Sequence, residues 1–173
     1  MFIALAGGAF APDQADAVTL TWNGGSDGVW QDGAGGWLDG VSSANWNNAT
    51  PDAAVFSGTA TLTPSIHAGG ITVGNLSYTS GSYSFSGGTL ALSSGNIDVG
   101  AGLTTTFNQA LSGAAGLTKS GAGTLSLVGN NKNYTGTTVI NGGAIQINGA
   151  GNGNLGSSST GTVTVDGGRL RAR

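Results

Sequence analysis

From Leu76 to Val99 the chain sets an apolar-x-apolar triplet every seven residues, Leu76/Tyr78, Tyr83/Phe85, Leu90/Leu92 and Ile97/Val99, with Gly and Ser filling the gaps. Each triplet sends two side chains to one face and the middle one to the other. The spacing predicts very short strands joined by tight turns, apolar within, with Ser77, Ser84, Ala91 and Asp98 looking outward. Three units make a 21-residue step, a fitting length for one coil of a solenoid. On that reading Leu76 and Ile97 stack in neighbouring coils about 4.8 Å apart. Helix signals are almost absent, since no long stretch carries the helical period and glycine recurs too often for helix interiors.

A second pattern recurs at longer range. Residues 84–92, 139–147 and 164–172 share one plan: strand, small polar residue (Ser86, Asn141 or Asp166), Gly-Gly, strand. The glycine pair supplies the positive φ of a sharp corner, and the preceding side chain can bond the turn's backbone. Such a corner either closes a hairpin or turns a coil into its next wall. Strands of two or three residues make poor isolated hairpins but adequate walls of a parallel stack. The expectation is an all-β chain, a β-solenoid.

Composition agrees with an exported fibrous protein: 34 of 173 residues are Gly, 8% are charged, and there is no Cys or Glu. The apolar residues are ordered rather than scattered, so the chain is expected to fold, and its length suffices for about seven coils. Residues 1–17 resemble the back half of a secretory signal peptide, with Ala15-Asp16-Ala17 or Ala9-Phe10-Ala11 as the cleavage site, although no basic residue precedes the apolar stretch. Residues 18–57 form a Trp-rich opening, read as the cap of the solenoid, and residues 58–173 its coils. No later segment has the roughly 18 continuous apolar residues of a membrane-spanning helix.

Charge and chemistry narrow the function. The net charge is −3, all eight acids are Asp, and the bases are Lys119, Lys132, Arg169, Arg171 and Arg173. Nothing forms a nucleic-acid patch; the alternating arginines read as one solvated strand face and as charged gatekeepers of an uncapped end. His67, the single histidine, has no Asp near it in sequence, and Asp98 and Asp166 are too isolated for a glycosidase pair, so the chain is read as non-catalytic. Asp27, Asp32 and Asp39, each followed by Gly, suit turns better than Ca²⁺, and no cofactor or metal is expected. Asn130, Asn131 and Asn133 read as turn caps, and Tyr134 as a wall-packing residue. Trp22, Trp30, Trp37 and Trp46 crowd into one quarter of the chain; they suit a buried aromatic cover over the solenoid's first coil, or else a sugar-stacking platform.

One stretch carries a family resemblance. Gly116-Leu117-Thr118-Lys119-Ser120-Gly121-Ala122-Gly123-Thr124-Leu125, continued by Asn131-Lys132-Asn133-Tyr134-Thr135-Gly136-Thr137-Thr138-Val139-Ile140-Asn141-Gly142-Gly143, resembles the passenger-associated transport repeat of bacterial autotransporters over about 116–147. The opening Thr21-Trp22-Asn23-Gly24, Trp30, Ala44-Asn45-Trp46 and Asp52-Ala53-Ala54-Val55-Phe56-Ser57-Gly58 is similar to the start of such passengers. The resemblance implies a right-handed, single-stranded parallel β-helix, exported and displayed at or released from the cell surface, with the outer-membrane translocation machinery as a partner. It also implies a C-terminal translocator barrel, which this sequence does not contain; the chain is therefore expected to be either a fragment of a larger passenger or a short relative whose ends are handled otherwise, for instance by stacking end to end. Display, adhesion, autoaggregation and self-association through solenoid ends are the expected roles. The alternatives are a carbohydrate-binding adhesin module using the four tryptophans, and a non-catalytic fragment of a larger secreted enzyme.

Overall fold

The computed structural model describes residues 17–24, 28–129, 132–149, 155–156 and 161–173. The expected leader up to residue 16, Asp27, Asn130 and Asn131 lie outside the described residues. Among those described there are strands and no helix. Four short strands come first: β1 (Thr19–Trp22), β2 (Val29–Trp30), β3 (Trp37–Asp39) and β4 (Ser42–Ala44). The chain then winds through β5 (Ala53–Leu62), β6 (Ser65–Ile66), β7 (Ile71–Val73), β8 (Leu76–Gly87) and β9 (Leu90–Leu92). It continues as β10 (Asn96–Val99), β11 (Thr104–Phe107), β12 (Leu111–Ser112), β13 (Leu117–Ser120) and β14 (Thr124–Val128). The last strands are β15 (Thr138–Ile140), β16 (Ala144–Asn148), β17 (Val163–Val165) and β18 (Arg169–Ala172).

These strands build a parallel β-solenoid of about five turns. On its first wall Ala54, Leu76, Ile97, Lys119, Ile140 and Val165 follow one another in register, coil upon coil. Leu76 thus sits beneath Ile97, as the 21-residue spacing requires. A second wall stacks Tyr83, Thr105, Leu125, Ile145 and Leu170. The third stacks Ile71, Leu90 and Leu111, and a parallel bridge carries it on to Lys132. The Gly-Gly corners turn wall into wall, because β8 and β9, β15 and β16, and β17 and β18 each pair with neighbouring coils rather than with each other. At the first corner a side chain on Gly88 would collide with the carbonyl oxygen of His67 in the coil below.

The turns are fewer than the length allows because the opening is not wound as a coil. There β1 joins the ladder parallel to β5, but β3 returns antiparallel to β1, and β4 antiparallel to β3. Along the axis the core changes character. Phe56 stacks on Tyr78 at 5.1 Å, and Phe85 meets Phe107 at 5.5 Å. Beyond them the rings give way mainly to aliphatic side chains, Leu125, Leu127, Ile140 and Ile145, with Lys119, Lys132 and Tyr134 buried among them. Outward positions bond across coils, as in Asn96 Nδ2 to Asn75 Oδ1 at 3.0 Å, Ser120 Oγ to Asp98 Oδ2 at 2.8 Å and Asn148 Nδ2 to Ser126 Oγ at 2.8 Å.

Candidate functional site

The structure brings the four tryptophans together at the start of the solenoid. Trp30 and Trp46 lie edge to face at 4.7 Å, Trp37 and Trp46 are 4.8 Å apart, and Trp22 packs on Trp37 at 5.0 Å. The cluster rests on the first coil, Trp30 against Phe56 at 5.7 Å and Phe85 at 6.4 Å. Trp30, Trp37 and Trp46 are 0 to 1% exposed and Trp22 6%. The indole N–H of Trp46 bonds Asn48 Oδ1 at 3.1 Å and the carbonyl of Thr72 at 3.3 Å, tying the loop after β4 to β7. A ring must show a face to stack on a sugar; Trp30, Trp37 and Trp46 are enclosed by one another and by Phe56 and Phe85, while Trp22 lines a cavity with Leu62 and Pro64.

A second group lies in the fourth coil and escaped the reading of the sequence. Both lysines of the chain point into the solenoid and are fully buried. Lys119 occupies the wall position between Ile97 and Ile140. Its ammonium donates to the carbonyls of Ser120, Gly121 (2.9 Å) and Gly142 (3.4 Å), the last in the following coil. Lys132 takes the place above Leu111, and its ammonium donates to Val128 in its own coil and to Gln109 in the preceding one, both at 2.7 Å. Two cations thus join three successive coils through charge-assisted bonds to backbone carbonyls.

Burial pushes the ammonium of Lys119 down to about 8, against a smaller upward pull from the Asp98 carboxylate, and burial alone brings Lys132 to about 8. Tyr134, also fully buried, bonds Thr138 Oγ1 through its hydroxyl at 2.8 Å; burial raises its hydroxyl to about 12, the Thr138 bond opposing. One signal for the lysines was present: Lys119 follows Leu117 by two residues in β13, which puts it on the same inward face.

The other residues singled out in the sequence fall apart in space or into turns. His67 is exposed, and its Nδ1 accepts from the backbone N–H of Gly69 at 3.1 Å. Asp32 accepts from the N–H of Asn48 at 2.7 Å, and Asp39 is exposed. No group of three potential metal ligands forms among the described residues. Asp98 serves the Ser120 bond, and Asp166 lies exposed in the last corner. Arg169, Arg171 and Arg173 stand exposed at the far end of the second wall, where β18 pairs with β16. The backbone N–H of Asn133 bonds the carbonyl of Leu111 at 2.8 Å.

Comparison with known proteins bears on the same coils. The passenger-associated transport repeat family matches residues 117–147, the stretch that holds both buried lysines and Tyr134. An alignment of 155 residues, taking in 84% of the chain, is 35% identical to the adhesin BmaC autotransporter of Brucella suis biovar 1 (strain 1330). The chain spans about 4% of that relative's length. No solved structure matches it.

Proposed function

Because the chain belongs to the passenger segments of bacterial autotransporters, we propose that it is a non-catalytic stretch of a surface-displayed β-solenoid, residues 18–57 serving as cap and 58–173 as the body. The observation that carries this reading is the in-register parallel ladder from β5 to β17, closed at its start by the tryptophan cluster. Each coil of such a stack contacts only its neighbours. A chain emerging through the outer membrane can then fold one coil at a time, burying each aliphatic side chain on the coil before it. In this view the transport repeat is the segment where buried ammonium groups fasten coil to coil. The relative's name supports adhesion as the task of the longer protein, with this stretch holding the adhesive parts away from the cell.

The test is made on intact cells carrying the whole polypeptide. Antibody raised against residues 17–173 is expected to label unbroken cells, and external protease to remove that label. Labelling that appears only after lysis contradicts display.

A further inference from the structure

The coils of this solenoid do not close at equal cost. On the first wall Leu76 is covered by Ile97, and on the third Ile71 is covered by Leu90 and Leu90 by Leu111, so those junctions bury aliphatic against aliphatic. The fourth coil breaks both columns, with Lys119 beneath Ile140 and Lys132 above Leu111. While β13 is seated on β10 and β15 has yet to dock, the Lys119 ammonium keeps water on its open side and the carbonyls of Ser120 and Gly121 from its own turn. The coil that shuts out this water brings one further acceptor, the Gly142 carbonyl at 3.4 Å, the longest of the three contacts. Taking an ion out of water costs more than one long bond returns. The junction below carries a related cost. Thr105 lies buried under Leu125, and Gln109 is buried two residues before Leu111; the hydroxyl of the first and both amide atoms of the second have no hydrogen-bond partner among the described residues.

From these junctions we infer that the transport repeat is a pause in the winding of the chain: the stack halts at the fourth coil until the next coil is complete enough to enclose its buried cations. The inference rests on the coil-by-coil folding proposed above. The cost falls at the same place whichever end of the chain arrives first, because Lys119 is enclosed from one side by Ile97 and from the other by Ile140. While the pause lasts, the segment beyond it stays unwound, as a chain that must be threaded through a membrane requires. Once the junction closes, the carbonyl bonds seat the cations and fasten the coils.

The test refolds the 173-residue chain from denaturant, labels it with pulses of hydrogen exchange and reads protection strand by strand. Amides of β15 and β16 are expected to become protected at least about tenfold later than those of β8 and β10. In the Lys119→Met, Lys132→Met variant that interval should close, and in Lys119→Ile, which matches the neighbours Ile97 and Ile140, it should shorten. Three results overturn the inference: simultaneous protection of all strands in the unaltered chain, an interval that both variants retain, or failure of both variants to reach native protection, which would make the ammonium groups a requirement for the stack rather than a delay in it. Surface labelling of intact cells is unaffected by any of these results, so the pause and the display reading fail separately.

Discussion

A lysine buried among isoleucines is the feature of this chain with the sharpest consequence for stability. Lys119 and Lys132 sit at about 8 in the folded chain against 10.5 for an ordinary lysine. The folded state therefore releases these protons first on raising the pH, and the unfolded state holds more of them between about 8 and 10.5. Stability must rise with pH across that window and be indifferent to these groups below it. Tyr78, Tyr83 and Tyr134 act the other way above their ordinary 10.0, because burial keeps them protonated in the fold while the unfolded chain ionises. Urea midpoints are expected to climb from pH 8 to a maximum near pH 10 and then fall. In Lys119→Met the rise should shrink by about half, since one of two groups remains. A flat or falling profile between pH 8 and 10 contradicts the burial of these ammonium groups. The inward place of Lys119 was legible in its alternation with Leu117. Its partners were not, because main-chain carbonyls from neighbouring coils leave no mark on side-chain pattern.

The strands themselves were the legible part, because the rule that sets them is local. In β9 the pattern Leu90, Ala91, Leu92 reads buried, half-buried, buried, and β10 repeats it through Ile97, Asp98 and Val99. Less legible was β5, which loses register against β8 between Phe56 and Thr61, where Gly58-Thr59-Ala60 offers no apolar alternation. The corners read correctly as corners, but wall or hairpin was decided by the stack rather than by the turn. Two of their glycines differ in an instructive way. Gly102 has a φ of +76° and open space around its Cα, so Gly102→Ala should cost only the left-handed backbone penalty, roughly 1–2 kcal/mol. Gly143, with a φ of +60°, faces the carbonyl of Gly123 in the coil below, where a methyl group collides with backbone that has nowhere to move. Gly143→Ala is therefore expected to cost about twice as much or more in chemical denaturation. Equal costs would mean that coils are not in close contact at that corner.

On the scale of the molecule, the interior runs from tryptophan through phenylalanine and tyrosine to coils where aliphatic side chains surround Lys119, Lys132 and Tyr134, and the two ends are unlike. One is covered by rings, the other bears arginines and half-exposed valines. The crowding of four tryptophans was plain in the sequence, but their burial was not, because cover and platform need the same residues; only the packing on Phe56 and Phe85 separates them. Acrylamide is expected to quench the tryptophan emission weakly, and simple glycans to leave it unshifted. Strong quenching with a glycan-dependent shift would instead mean exposed ring faces.

The parallel stack is the claim on which the rest depends, and a chain without cysteine offers a clean way to test it. Ser77 and Asp98 face outward on adjacent coils in direct register, with α-carbons of neighbouring strands about 4.8 Å apart, within disulfide reach. Ser77 and Ser84 are the pair that a local hairpin through Gly81 would bring together. Mild oxidation of the Ser77→Cys, Asp98→Cys variant should give an intramolecular disulfide, and the Ser77→Cys, Ser84→Cys variant should remain reduced. The reverse outcome, a bond between positions 77 and 84 and none between 77 and 98, would contradict the solenoid.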